Sequence, residues 1–398
     1  MIRREPSVSG MRDHRFRNRI AAVAALSGLA VLGGLAVPGP HSVADALTPQ
    51  THKSADPVQQ HLNGLVRDDG FPGALAAVRD RNGHIRNYTA GVGDLKTRAK
   101  VPMDGQVRIG SNTKTFTSVV VLQLVGEGKV GLDQPIEKYL PNLIRGDGID
   151  GRNITVRQLL QHTSGLPNYT NFLADGFLPF QHTYFEPREL LDMALAQKAD
   201  FKPGAKWEYS NTNYVILGLL IEKITHRPLV EEITHRVIDR AGLRHTYFPN
   251  VGDQTIHERH PHGYDRDKPN QPLSDVTEMD PSWGWAAGQL VATPSDVDRF
   301  YSALLAGRLV GPAELKEMRK TVAAPDLWSG ARYGLGLIST QLTCGGVAWG
   351  HGGDIDGYHT SDFATDDGRA ATVAVTLLPE NEQQIDHLLS AVDTALCE

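Results

Sequence analysis

Gly110-Ser111-Asn112-Thr113-Lys114-Thr115-Phe116-Thr117-Ser118 runs directly into the apolar stretch Val119 to Val125. Residues three apart share one face of a helix, so a helix through this stretch sets the Lys114 ammonium beside the Ser111 hydroxyl. A serine is a poor nucleophile unless a neighbour takes its proton, and a helix N-terminus favours developing negative charge. Thr113, Thr115, Thr117 and Ser118 read as the polar side of the first helical turns. An S-x-x-K arises readily by chance, so the surrounding sequence has to say what the pair is for.

The chain has 398 residues, 40% hydrophobic and 22% charged, enough apolar mass for a large core. A net charge of -6 excludes nucleic acid and anionic membrane as partners, since both need a basic patch. Arg12, Arg15, Arg17 and Arg19 precede an almost uncharged run from Ile20 to Val37, and Ala44-Asp45-Ala46 follows as an A-x-A site. That pattern predicts a secretory signal peptide over residues 1–46 and a secreted mature chain over 47–398, a membrane anchor being the alternative. No later stretch is apolar enough to span a bilayer. Cys344 and Cys397 are the two cysteines. In an oxidising compartment they are expected to pair and tie a C-terminal helix to a sheet, with two free thiols as the alternative. They are too few and too far from clustered histidines for zinc.

Asp56-Pro57 reads as an N-cap and first-turn proline. Gly73 to Asp80 and His84 to Val92 flank Asn82-Gly83 as a β-hairpin, and Tyr358 to Thr365 and Ala370 to Leu378 flank Asp367-Gly368 as a second. A helix follows with Ile385, Leu388, Leu389, Val392 and Leu396 on one face. Strands thus occupy both ends of the mature chain, while residues 131–298 are mostly helical pattern and loop. The fold class expected is α/β (α+β): one sheet built from both ends and covered by helices, with a helical region inserted and the site in the cleft between them.

Two more segments supply what an S-x-x-K site lacks. Tyr209-Ser210-Asn211 opens an apolar helix through Val215, Leu217, Leu219 and Ile221. Close to Lys114, Tyr209 could act as phenolate base or as acid, and Asn211 could bond a substrate amide. Tyr169-Thr170-Asn171 has the same letters but no helix after it. Gly350-His351-Gly352-Gly353-Asp354 lies at the end of the strand pattern Val347 to Gly350. Its glycines mark close backbone approach to a ligand or, more simply, a sheet-edge turn. With Ser111, the Asp354 N–H could form an oxyanion hole.

Ser111-Asn112-Thr113-Lys114, Tyr209-Ser210-Asn211 and His351-Gly352-Gly353 resemble, in order and spacing, the three active-site motifs of penicillin-recognising serine hydrolases. His162-Thr163-Ser164-Gly165-Leu166 and Gly284-Trp285-Ala286-Ala287-Gly288 resemble accessory motifs of the branch that holds class C β-lactamases. From about Val58 to Cys397 the chain resembles secreted D-alanyl-D-alanine carboxypeptidases of actinomycetes, including the Ser210 to Asn213 run and the cysteine pair. The resemblance implies a β-lactamase/transpeptidase-like fold and an acyl-enzyme on Ser111, with Lys114 and Tyr209 sharing the proton transfers. It implies substrate binding by Asn211, Trp283, His351, Gly352, Gly353 and Asp354, although Trp283 could equally be core packing. No cofactor or metal is needed. The expected partners are a small peptide or D-amino-acid substrate and acylating β-lactams, acting on a monomer with no stable membrane association.

Departures from the pattern bear on the leaving group. In carboxypeptidases of this type, hydroxyl residues of the third motif help hold a terminal carboxylate, and here Gly352 and Asp354 replace them. Leu337 to Gln341 contains no arginine where the resembling enzymes place a carboxylate-binding one, which leaves Arg332 and His351 as the nearest candidates. His-Gly-Gly also resembles the third motif of related esterases, D-aminopeptidases and D-amino-acid amidases. A D-Ala-D-Ala carboxypeptidase is expected, with those activities or a β-lactamase as alternatives and a non-enzymatic β-lactam sensor as a remote one. His257-Glu258-Arg259-His260-Pro261-His262 reads as a loop rather than a metal site, because Pro261 breaks any helical pairing of imidazoles. No G-x-S-x-G elbow surrounds any serine, so an α/β-hydrolase has no nucleophile here.

Overall fold

A computed structural model describes residues 56–173, 176–266, 268 and 271–398. The signal peptide expected over residues 1–46 lies outside the described residues. Helix α1, Pro57–Arg67, starts where the Asp56 carboxylate accepts from the Val58 and Gln59 amides at 3.0 and 3.4 Å, with Pro57 in the first turn. Strands β1 (Gly73–Arg79) and β2 (Ile85–Gly91) form the first hairpin. Its turn is held by Asp80, whose carboxylate accepts from the Asn82 and His84 amides at 2.8 and 2.9 Å.

The polypeptide then leaves the sheet for helix α2 (Thr113–Gly126), helix α3 (Thr212–Thr225), the single turn α4 (Trp285–Gly288) and helix α5 (Pro294–Leu305). It returns through the short strands β3 (Val322–Ala323), β4 (Arg332–Tyr333) and β5 (Ile338–Gln341). Strands β6 (Val347–Ile355), β7 (Tyr358–Ala364) and β8 (Ala370–Val375) and helix α6 (Glu382–Cys397) complete it. These strands make one antiparallel sheet in the order β2-β1-β8-β7-β6-β5-β4-β3. Strand β8 from the C-terminal hairpin pairs with β1 from the first, so the sheet closes from both chain ends with the helical region between, as expected.

Helices α1 and α6 cover one face, where Val58, Leu62, Leu65, Leu388, Val392 and Leu396 meet Ala76, Val373 and Phe363. The seam of α6 is Leu388, Ala391, Val392, Ala395 and Leu396, with Ile385 and Leu389 at its half-buried margin. Cys344 in the β5–β6 turn is bonded to Cys397 at the end of α6, Cα to Cα 5.6 Å, so the expected pairing is present. The other face carries α5 and, behind it, α2, whose residues from Thr113 to Leu124 are all buried.

The polar side expected for the first turns of α2 is itself buried, and its hydroxyls act as fastenings. Thr115 donates to the Gly336 carbonyl and Thr117 to the Ala286 carbonyl, each at 2.8 Å. Thr113 accepts from the Leu290 amide at 3.1 Å, and Ser118 lies 3.1 Å from the Tyr214 hydroxyl. A buried hydroxyl needs a partner, so these bonds position the helix on three sides.

Candidate active site

Ser111 sits in the 3-10 turn Gly110–Asn112, one step before α2 begins. Lys114, fully buried on the first turn of that helix, places Nζ 2.8 Å from Ser111 Oγ and donates to the Ala287 carbonyl at 2.8 Å. Burial pushes the ammonium well below the ordinary lysine value, opposed only in part by the charge of Asp354. A neutral amine that spends one hydrogen on Ala287 keeps a lone pair for the Ser111 proton. The turn holding Ala287 is set by Trp285, a non-glycine residue at φ 33°, whose ring packs where Gly218 of α3 has no side chain. A Cβ on Gly218 would meet that ring at 2.5 Å.

Tyr209 precedes α3 and lays its ring over Lys114, Nζ to centroid 4.8 Å. Burial raises its phenol well above the ordinary tyrosine value, with Ser111 the group that draws it back. The resting ring therefore keeps its proton. The look-alike Tyr169 is a buried structural residue: its amide donates to Thr212 Oγ1 at 3.1 Å and its hydroxyl to the Trp283 carbonyl.

The glycines of the third motif are not a turn. Strand β6 continues through them to Ile355, which corrects the expected strand end at Gly350. A Cβ on Gly350 would lie 1.7 Å from the Asp362 carbonyl and one on Gly353 2.0 Å from the Ile109 carbonyl, so only glycine lets the strand lie this close to β7 and to the nucleophile turn. Gly110, at φ 46°, rests on the Asp354 backbone, where a Cβ would come within 2.6–2.9 Å of its O, C and N. Ser111 and Asp354 are thereby neighbours. Below them the Asn112 amide donates to Thr360 Oγ1 at 2.8 Å and to Asp362 Oδ2 at 2.5 Å, and its carbonyl accepts from the Tyr301 hydroxyl at 2.6 Å. Burial raises the Asp362 carboxyl to about 7, with Asn112 the main opposing contact.

Both ring nitrogens of His351 are engaged within the protein. Its Nδ1 faces the Gly352 carbonyl at 2.5 Å and its Nε2 the Tyr333 hydroxyl at 2.9 Å; that hydroxyl also meets His162 Nε2 at 3.2 Å. His162 Nδ1 faces the Ser210 amide at 3.2 Å and the Asn213 amide nitrogen at 3.0 Å. A backbone N–H only donates and a carbonyl only accepts, so the protons have one arrangement: His162 donates to Tyr333, Tyr333 to His351, and His351 to Gly352. Both rings are neutral in that chain. Burial and the nearby Lys114 hold His351 down to about 3 and His162 well below the usual histidine value. His162, at φ 58°, stacks on Tyr209 with ring centroids 4.3 Å apart. Strained backbone at both His162 and Trp285 is characteristic of residues held in place by a site. Tyr333 had no signal in the sequence beyond an aromatic beside glycines.

Of the two cations considered for a substrate carboxylate, His351 belongs to that buried chain and Arg332 has its partners on the protein surface. Arg332 is exposed on β4 and donates to the Thr321 hydroxyl at 2.8 Å and carbonyl at 3.0 Å. Asn211 stands at the N-cap position of α3 without a side-chain bond to the helix, and its backbone N–H donates to Asn168 Oδ1 at 3.0 Å. Trp283 is half-buried against Phe177 and Phe180, ring centroids 6.3 and 6.1 Å away, so its ring contacts are those of core packing. In the loop His257 to His262, His257 meets Asp253 at 2.7 Å and His262 meets Asp275 at 2.6 Å, each imidazole with its own carboxylate.

The beta-lactamase family model matches residues 58–395. Among solved structures, a D-stereospecific amidohydrolase from Streptomyces sp. is 39% identical, covers 83% of this chain and 96% of its own, and superposes with a TM-score of 0.77. The D-amino acid amidase from Ochrobactrum anthropi SV3 is 26% identical over 85% of this chain and 98% of its own, with a TM-score of 0.74. A D-aminopeptidase of Brucella anthropi is 30% identical over 315 residues, 76% of this chain and 56% of that protein. Protein flp of Staphylococcus aureus is 26% identical over 204 residues, so the match spans half of this chain but only 40% of that relative. With its model matched across nearly the whole described chain and a serine, lysine and tyrosine gathered at the foot of α2, the protein is a serine hydrolase of the beta-lactamase family.

Proposed function

We propose that the protein is a D-stereospecific amidohydrolase that cleaves amides or short peptides of D-amino acids through an acyl-enzyme on Ser111. The observation that carries this reading is the charge of the cleft. Where a carboxypeptidase needs a cation for a terminal carboxylate, Arg332 is turned to Thr321, His351 is neutral, and the strand residue whose backbone abuts Gly110, next to Ser111, is the acid Asp354. Burying a free carboxylate there, unpaired and next to Asp354, is costly. An amide leaving group carries no such charge.

In the proposed reaction Lys114 takes the Ser111 proton as Oγ attacks the carbonyl carbon. The Ser111 and Asp354 N–H groups receive the developing oxyanion. Tyr209, whose ring lies over Lys114, gives its phenol proton to the departing amine and takes back the proton that Lys114 received from Ser111, which restores both groups; water then attacks the ester, giving its proton to Lys114, and Ser111 leaves as the alcohol. The disulfide supports export, since such bonds persist in oxidising compartments.

A substrate panel tests the reading: D-phenylalanine amide, its L enantiomer, a diacyl D-Ala-D-Ala peptide, a short-chain ester and nitrocefin. The D-amide is expected to have the highest kcat/KM. If the D-Ala-D-Ala peptide leads instead, the carboxypeptidase activity expected from the sequence takes its place.

A further inference from the structure

Among the described residues, strand β6 has β5 as a neighbour only over Val347 to Gly350, and from His351 to Ile355 it pairs with β7 alone. An unpaired edge beside a nucleophile is where an extended substrate can lie. That edge runs to Asp354, whose backbone rests on Gly110, next in the chain to Ser111. The Asp354 side chain is 68% exposed, and its Oδ1 lies 2.6 Å from His359 Nδ1. The His359 Nε2 is in turn 3.0 Å from Ser361 Oγ, so the ring is held from both sides and aims a donor at the carboxylate. Desolvation, the largest single influence, raises the Asp354 carboxyl, but the charge and hydrogen bond of His359, joined by the charges of His351 and Lys114, together keep it below the usual aspartate value. Its field reaches both Lys114 and Tyr209.

We propose that Asp354, held by His359, anchors the α-ammonium of the substrate, so that the site selects acyl groups with a free amine over N-acylated ones. This rests on the amidohydrolase reading of the same site. A carboxylate already oriented by a hydrogen bond loses little freedom on pairing, and an ammonium on the carbon next to the scissile carbonyl is the cation nearest to Ser111 that such a substrate can offer. The same carboxylate repels a substrate that presents its own carboxylate at this place.

The test is a ratio measured on Asp354→Asn, which keeps the size of the side chain and the backbone N–H. kcat/KM is measured for D-phenylalanine amide and for N-acetyl-D-phenylalanine amide, and the methyl esters of D-phenylalanine and 3-phenylpropionic acid are read the same way. Wild-type protein is expected to prefer the free amine, and the variant to lose about tenfold of that preference, mainly through KM, the scale of a partly desolvated charge pair. Because both members of a pair share the acyl chemistry, a general loss of activity cancels. A ratio unchanged within about twofold overturns the role of Asp354. A wild-type protein that turns over neither amide overturns the amidohydrolase reading instead, and the ester pair then still reads Asp354.

Discussion

Lys114 Nζ stands 2.8 Å from Ser111 Oγ with no water-exposed surface of its own, held in line by the Ala287 carbonyl at the same distance. In the proposed reaction the pair serves as nucleophile and base, which requires a neutral lysine. Ser111→Ala is therefore expected to abolish covalent labelling by a fluorescent penicillin, read on a denaturing gel. Lys114→Ala is expected to lower kcat by about 100-fold or more. Lys114→Arg should not rescue it, because a guanidinium does not deprotonate in proteins.

The pH profile follows from the same burial. A base works when unprotonated, and Lys114 loses its proton well below the ordinary lysine value of 10.5. Activity should therefore rise with pH, with the midpoint of the acid limb well under 10.5, as measured by kcat/KM on a neutral ester. A midpoint at the ordinary lysine value would contradict the assignment. Stability runs in the same sense: a group whose folded pKa is depressed leaves the unfolded chain binding more protons, so its contribution is lost as pH falls.

Tyr333→Phe removes the one hydroxyl that joins His162 to His351. Two buried ring nitrogens lose their partner, at a cost of about 2 kcal/mol in unfolding free energy. Because His162 stacks on Tyr209, kcat is expected to fall as well. Denaturant unfolding and turnover, measured on one preparation, check both.

His351→Gln tests the neutral imidazole. His351 is held at about 3 against an ordinary 6.5, so the folded state refuses a proton that the unfolded chain accepts between those values. Stability should therefore fall on acidification from pH 6.5, by about 1.4 kcal/mol per unit for one group. Glutamine keeps a polar atom near the Nε2 position and does not titrate. The variant is expected to show a shallower loss between pH 6.5 and 4.5 in urea unfolding.

Gly218→Ala places a methyl group 2.5 Å from the Trp285 ring and 2.7 Å from Ala286 Cβ. The α4 turn must move, and with it the Ala287 carbonyl that holds Lys114. A loss of about 1–3 kcal/mol, typical of overpacking, is expected together with reduced acylation by the penicillin probe. Unchanged acylation in a destabilised variant would separate the turn from the catalytic lysine.

The spacing of Ser111 and Lys114, the helix that follows them, both hairpins, the capped α1 and the amphipathic α6 were legible because they depend on local periodicity and turn chemistry. So were the three motif positions, since their glycines and polar residues sit at intervals a reader can compare. The burial of the α2 hydroxyls and the continuation of β6 through its glycines went unread for one reason: which side of an element is buried depends on what packs against it, and that is not a local property. The same holds for charge. His351 and Arg332 are ordinary basic residues as letters, and only the tertiary structure makes one a neutral link between Tyr333 and Gly352 and turns the other to Thr321. The sequence by itself determined the family and the candidate nucleophile; desolvation and partner geometry, which exist only once distant segments meet, decided that the Lys114 ammonium is pushed well below the ordinary lysine value, that the Tyr209 phenol is pushed well above the ordinary tyrosine value, and that the strand backbone against Gly110 belongs to an acidic residue, Asp354.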